Sequence, residues 1–444
     1  MKKAMKLTAL LVSGGILCSA MPVLPAAAAD EEVTMTAVIT LNGDKITATG
    51  DNVTVDGTKV TISASGAYEL KGTLDDGQII VNVPDDKADP ETVKLYLNGV
   101  KITGKTDAAI LIENAEKTSV NLMDNTENYL YDGETYTNTT AVIYAKDDLT
   151  IKSAGELGNG YLRVEAAYQQ GLHCNNDVKF TGGKIKFKTA VEDAVRGKTS
   201  VEIKGGEIDI NAEGDGIKST KGKVLISGGT IDIKSGKDAV QGETSLEISG
   251  GTLKANGDRG LTCANGTPNI SGGTVLATAT DAQCAAIAGT QAVIMASFAS
   301  ELLKDQAVTV SDSTDTVFSM TPDKKFSYAV ISAPELTVGT AYKLAVAGQE
   351  ALNAEGKADF TLEQITTLEG LTVPQSTKPF DGDINCNGET DVADAVLMAR
   401  FIAEDSGITV TEEGMAKMDF NGDGHVTSQD SSILLCFLAG LPTA

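Results

Sequence analysis

Between Val201 and Ile210 the chain alternates in character: Val201, Ile203, Ile208 and Ile210 are apolar, while Glu202, Lys204, Glu207 and Asp209 are charged. A period of two belongs to a strand with one face buried and the other in water. The alternation surrounds five glycine pairs, Gly182-Gly183, Gly205-Gly206, Gly228-Gly229, Gly250-Gly251 and Gly272-Gly273, which return after 23, 23, 22 and 22 residues. A unit this short cannot bury its apolar face alone and has to stack on its own copies. The period, the strand pattern and the lack of helical periodicity predict an all-β fold, a right-handed parallel β-helix or solenoid over residues 30–290. Leucine-rich repeats share the length, but their leucine and asparagine signature is absent. The glycine pairs belong at corners between strands, where positive φ or close backbone approach excludes a Cβ. The pattern thins toward the N-terminus, in "TVDGTKVTISASGAYELKGTL" and "VKLYLNGVKITGKTDAAILIEN".

The texture then changes. Residues 291–363 hold shorter alternating runs and turn residues, which predicts a small β-rich cap, and residues 364–379 read as a linker. The last segment, 380–444, carries apolar helical periodicity in "AVLMARFI" and "SILLCFLAG". At the other end, residues 1–29 combine lysines, an apolar run and a small-residue pattern at Ala27 to Ala29, as a cleaved secretory signal peptide does. Cys18 follows Leu17 rather than a small residue, which argues against lipid attachment there. No later apolar stretch has the length for a bilayer span, so no membrane insertion is expected and the protein is read as secreted.

A net charge of −25 disfavours nucleic acid and anionic membranes as partners. It suits a calcium-binding protein. Five scattered cysteines beyond the leader make a disulfide framework improbable. The absence of tryptophan removes the planar indole platform that crystalline cellulose would favour.

One acidic position recurs in each repeat, as Asp193 in "EDAVRG", Asp215 in "GDGIKS" and Asp238 in "KDAVQG". Asp258 and Asp281 follow in units with an extra residue. Stacked carboxylates repel by on the order of 1 kcal/mol even in water-like surroundings, so something must offset them. Either each aspartate caps a turn, with Arg196 or Lys218 three residues on supplying charge, or pairs among Asp193, Asp215 and Asp238 share calcium between layers. The densest aromatic cluster is Tyr129, Tyr131 and Tyr136, with Tyr161 and Tyr168 nearby, and tyrosines can stack on sugar rings. Arg196 and Lys218 are the candidate contacts for an acidic glycan.

Two C-terminal stretches are more specific. "DINCNGETDVAD" places Asp383, Asn385, Asn387, Gly388, Asp391 and Asp394 at positions 1, 3, 5, 6, 9 and 12. "DFNGDGHVTSQD" places Asp419, Asn421, Asp423, Gly424, Thr427 and Asp430 likewise, 36 residues later. Oxygen ligands at alternate positions, glycine at 6 and a backbone carbonyl at 7, from Glu389 and His425, follow EF-hand calcium logic. Position 12 is Asp rather than Glu, and no helix is evident before either loop, so a two-helix EF-hand fits poorly. Cys386 and Cys436 read as a loop filler and a packed helix residue.

This tandem half-EF-hand closely resembles a type I dockerin. The resemblance implies two calcium ions, a cohesin module of a scaffoldin as partner, and contact through residues 10 and 11 of each loop and the helix beyond: Val392, Ala393, Arg400, Ser428 and Gln429. The two halves differ at these positions, which implies one preferred orientation of docking. The glycine-pair units with "GDGIKS" turns, followed by "SAPELTVGTAY", resemble the secreted β-helix carbohydrate-binding family of cellulose-degrading clostridia. That resemblance implies a polysaccharide-lyase-like fold, calcium, and binding of cellulose or pectin from the plant cell wall. The expectation is a noncatalytic polysaccharide-binding protein attached to a cellulosome. A calcium-dependent pectate-type lyase, with Lys218 as base, and a structural or adhesive surface component are the alternatives.

Overall fold

The computed structural model describes residues 33–133, 135–281, 286–374, 382–420 and 425–439. The expected signal peptide lies outside these residues. Residues 35–444 group as one unit, and the description that follows is of that unit.

The alternating runs form 13-residue strands, Asp177–Thr189, Ser200–Ala212, Lys223–Ser235 and Ser245–Gly257. They pair in parallel and in register, so Ile203 lies on Ile226 and then Ile248, while Phe187, Ile210, Ile233 and Ala255 form a second inward row. These inward side chains are essentially sealed from solvent. Each fully buried isoleucine contributes about 1.5–3 kcal/mol relative to exposure. Stacking like on like is thus the main source of cohesion, and a slip by one residue would turn every apolar row outward.

The glycine pairs break each long strand into two halves, and the register shifts there. The second glycine of each pair has positive φ, between 83° and 101° from Gly183 through Gly273. The backbones also touch: a Cβ on Gly229 would sit 2.9 Å from the carbonyl oxygen of Gly206. A side chain is excluded twice over, by the sign of φ and by the layer below.

The sheet topology corrects the plain right-handed parallel β-helix solenoid expected for residues 30–290. The protein is mostly β; among the described residues it holds a 16-stranded sheet, a ten-stranded sheet and a five-stranded sheet, and parallel ladders occupy only part of them. Ala37–Gly43 pairs antiparallel with Ile46–Gly50, and Val53–Asp56 with Lys59–Ile62. Near the other end Asn269–Ala279 pairs antiparallel with Phe326–Ser332, which pairs antiparallel with Val293–Leu302. A repeat reports only how a unit meets its copies. Segments outside the repeat instead fold back and satisfy the N–H and C=O groups that a parallel stack would leave open at its edge.

Residues 291–363 contribute the five-stranded antiparallel sheet, with its own apolar cluster around Val310, Phe326 and Leu344. The expected linker begins later than residue 364, because Ile365–Leu371 is a strand paired in parallel with Val293–Leu302. Its period was too short to be seen against the surrounding polar residues. Beyond it, residues 375–381 lie outside the described residues. Among the described residues the C-terminal segment holds three helices, α1 (Val392–Ile402), α2 (Glu412–Met415) and α3 (Ser428–Leu438), around a third cluster of Ile384, Met398, Met418 and Leu434. The short α2, capped by Thr411, escaped the periodicity because four residues carry no period.

The glycine corners give a direct test. Gly348→Ala, at φ +72° with open space around it, should cost only left-handed strain, about 1–2 kcal/mol. Gly229→Ala meets that strain and the Gly206 carbonyl together, and should lose at least about 1 kcal/mol more in denaturant unfolding. Equal losses in the two variants would mean that the layers are not held by backbone contact at the corner.

Candidate functional site

Asp193, Asp215 and Asp238 come into one column, only 2%, 4% and 2% exposed. Each lies two residues before a strand pair in register, Val195 on Ile217 on Val240. The column works as a chain of clamps between layers. Asp193 Oδ1 accepts the backbone N–H of Asp215 at 2.9 Å, and Asp215 Oδ1 accepts that of Asp238 at 3.0 Å. The second oxygen of each takes a cation from its own layer: Arg196 Nε donates to Asp193 Oδ2 at 2.8 Å, and Lys218 Nζ to Asp215 Oδ2 at 2.5 Å. Both oxygens of both carboxylates therefore carry donors, the arrangement of the turn-capping alternative.

The register ends the column differently from the sequence expectation. Opposite Asp238 stands Arg259, not Asp258. Its Nε and Nη2 reach the two Asp238 oxygens at 2.6 and 2.7 Å, and Thr262 Oγ1 adds a third donor at 2.9 Å. Burial raises the Asp238 carboxyl above the ordinary aspartate range, and the Arg259 and Thr262 hydrogen bonds pull the other way. Asp258 sits aside, half exposed, bonded to Lys324 and Thr280, and Asp281 is exposed. The signal for Arg259 was present in "GDRGLT", one residue past the acid, but only the pairing shows which of the two faces inward.

Lys218, the candidate base, presents an ammonium already held by Asp215. It lies on the ten-stranded sheet in a row Tyr144, His173, Arg196, Lys218, Gln241. His173 was not singled out as a site residue. Its ring packs on Tyr144 at 5.1 Å, and Nδ1 lies 2.9 Å from Gln170 Oε1. Burial, reinforced by the Arg196 charge, lowers its pKa to about 4.

Tyr129, Tyr131 and Tyr161 lie on the other long sheet, so they and the Arg196–Lys218 pair do not share a face, while Tyr136 and Tyr168 lie in the connections beyond the strands. Tyr129 and Tyr131 have parallel rings, 6.4 Å between centroids and 1° between planes, with Tyr161 edge-on to Tyr129 at 6.2 Å. Tyr136 stacks instead on Tyr168 at 5.7 Å and donates to Asp132 at 3.3 Å. Burial raises both the Tyr136 and Asp132 pKa values.

In the first C-terminal loop the short side chains turn back onto their own backbone. Asp383 accepts from Asn387 and Gly388 N–H at 2.9 Å each, Asn385 from Asn387 at 3.0 Å, and Asn387 from Glu389 at 2.9 Å. Gly388 supplies the turn at φ +93°. Asp394 is wholly buried and closes the loop, accepting from Asn385 and Asp391 N–H at 2.9 Å each. Among the described residues no side-chain cation offsets it. Among the described residues no three acidic side chains converge on one point; the oxygen donors that would hold a divalent cation in this loop are Asp383, Asn385, Asn387, Asp391, Asp394 and the Glu389 carbonyl. In the second loop Asp430, equally buried, accepts from Phe420 and Thr427 N–H. Asp419, His425 and Thr427 accompany it, while Asn421, Asp423 and Gly424 lie outside the described residues. Asp394 and Asp430 also complete the capping boxes of α1 and α3, so loop and helix are fixed by one carboxylate each.

A family model described as "Carbohydrate-binding domain-containing protein" matches residues 56–370, well over half of the chain. The chain belongs to that family. A second model, for the type I dockerin domain, matches residues 381–438. A "Carbohydrate-binding domain-containing protein" of Acetivibrio thermocellus is 41% identical over 130 residues, which make up 28% of this chain and 42% of the relative. This chain therefore spans less than half of that curated relative's length. A solved structure titled as the polysaccharide lyase-like protein from C. thermocellum, gadolinium derivative, is 37% identical, with a TM-score of 0.49, covering 53% of this chain and 97% of the other.

Two outcomes test the column. Asp215→Asn retains an acceptor for the Asp238 N–H but leaves the Lys218 ammonium without its counter-charge. It should cost about 1–3 kcal/mol in denaturant unfolding, and adding Lys218→Met should restore part of that. A stabilised Asp215→Asn would show that repulsion, not clamping, dominates the column. For His173 the unfolded chain binds a proton near pH 6.5 and the folded one only near pH 4. Stability present above pH 6.5 is thus lost as pH falls toward 4, by about 1–2 kcal/mol after allowance for solvent screening. His173→Gln should flatten that part of the stability–pH curve.

Proposed function

We propose that this chain is a secreted, noncatalytic polysaccharide-binding protein, carried to a cellulosome-type complex by a calcium-dependent dockerin. The observation that supports it is the joining in one sequence of a carbohydrate-binding family segment, residues 56–370, to a type I dockerin, residues 381–438. The two parts have separate apolar clusters, so each can act as a module. Among the described residues no helix is long and apolar enough to cross a membrane, and the N-terminal leader pattern supports export.

The loops supply the docking chemistry. Calcium, when bound, supplies positive charge beside the buried Asp394 and Asp430. The residues of this chain then fix the starts of α1 and α3, which present Val392, Ala393 and Arg400 on one and Ser428 and Gln429 on the other. All five are exposed, with Val392 at 68% and Val396 at 53% beside them. Apolar exposure of this kind on a small helical module suits a protein partner, here a cohesin. The body offers plant cell-wall glycan, cellulose or pectin, a long outward surface. Lys218, bound by Asp215, is not placed as a free base, which favours binding over lyase chemistry.

Removal of residues 380–444 should leave glycan binding intact and abolish cohesin capture. Loss of sugar binding on truncation would break the modular reading. Chelation should lower the helical circular dichroism of the full chain, and Asp394→Ala should weaken calcium binding and cohesin capture together. An unchanged spectrum in chelator would count against calcium-dependent folding.

A further inference from the structure

The carbohydrate-binding reading leaves the binding face open, and the outer side of the 16-stranded sheet carries an inference that rests on that reading. In the second halves of the long strands the outward residues stack in two rows. One runs Lys101, Tyr129, Arg163, Lys186, Asp209, Asp232, Lys254. The neighbouring row contains Tyr131, Glu165, Lys188, Asn211 and Lys234. Successive members are one strand spacing apart, about 4.8 Å.

At one end lie the parallel Tyr129 and Tyr131 rings, with the Lys101 ammonium 5.8 Å from the Tyr131 centroid. Arg163, in the next layer, has its Nε buried without a hydrogen-bond partner. At the other end the face becomes a groove of about 400 Å³ over Lys186, Asp209, Asp232 and Lys234, walled by Lys304, Asp305 and Asp323. These wall residues come from the connections flanking the five-stranded sheet, so the groove exists only where the two parts of the fold meet.

The charges on this face are largely matched. Lys186 pairs with Asp209, Lys184 with Glu207 at 3.0 Å, and Lys254 with both Asp232 and Asp323 at 2.7 Å. Burial raises the Asp232 carboxyl against the pull of Lys254. A polyanion gains nothing from paired ammonium groups and is repelled by Asp209, Asp232, Asp305 and Asp323. Sugar hydroxyls, which both donate and accept, can use the two members of every pair, and the tyrosine faces suit the apolar side of a pyranose ring.

We propose that this face, from Tyr129 and Tyr131 to the groove under Lys304 and Asp323, is the glycan site, and that it takes an uncharged linear polysaccharide lying across the strands. The row containing Arg196 and Lys218 on the ten-stranded sheet is not this site, since its cations are committed to buried carboxylates.

The experiment uses the full chain with phosphoric-acid-swollen cellulose and soluble hydroxyethylcellulose as uncharged probes, and polygalacturonate as the charged one. Tyr129→Ala with Tyr131→Ala should weaken binding of the uncharged probes at least tenfold. The corresponding Phe pair, which keeps the rings, should stay within about threefold, and that separates stacking from misfolding. Asn211→Ala with Lys234→Ala should weaken it several-fold, while Gln241→Ala on the other sheet should change nothing. Unchanged affinity in the folded Tyr→Ala pair, with wild type binding normally, would overturn the site but leave polysaccharide binding standing. Preference of wild type for polygalacturonate would overturn the uncharged class. A wild type that binds none of the three would sink the polysaccharide-binding reading and this site with it.

Discussion

Backbone contact between layers is the constraint on which the rest depends. At the glycine corners from Gly206 through Gly273 the chain passes so close to the layer beneath that a Cβ would fall within about 3 Å of a neighbouring main-chain atom. That approach holds the repeats to 22 or 23 residues, because the next corner must arrive directly above. Fixed length fixes register, and register puts isoleucine on isoleucine inside and charge beside charge outside.

The aspartate column follows from the same register. Three carboxylates stacked in a nearly dry turn would be costly if unpaired. The fold turns Asp193 and Asp215 into clamps, each with one oxygen on the main chain of the next layer and the other on a basic residue three positions on. Arg259 ends the series by offering two donors to Asp238. The polar atoms thereby tie layers together beside the buried Val195, Ile217 and Val240, and the arrangement explains why acid and base recur together in "EDAVRG" and "GDGIKS".

The C-terminal module uses a different economy. Its apolar cluster is small, and two buried carboxylates are shared between loop closure and helix capping. Local hydrogen bonds shape the first loop, while the exposed faces of α1 and α3 carry Val392, Val396, Leu435 and Phe437 beside Arg400, Ser428 and Gln429. The large module builds a long rigid surface from repetition, and the small one concentrates exposed apolar contact on two short helices.

Much of this was written in local pattern. The strand period around Val201 to Ile210, the glycine corners, the three aspartates and the two 12-residue loops depend on spacing within one repeat or one loop, and spacing is what a sequence displays. The departures all involve partners distant in the chain. The antiparallel returns at Ile46–Gly50 and Phe326–Ser332 are ordinary alternating runs whose direction is decided only by which strand they meet. Ile365–Leu371 looked like linker because its pairing with Val293–Leu302 lies some 70 residues back, beyond any local period. Asp258 and Arg259 are adjacent in sequence, and only register chose the arginine to face Asp238. The groove under Lys304 and Asp323 needs two segments brought together by tertiary packing. The sequence by itself determined the repeat and its loops, because short-range sterics and hydrogen bonding act along the chain. Tertiary structure decided where the stack stops and which face stays open, because those depend on long-range pairing.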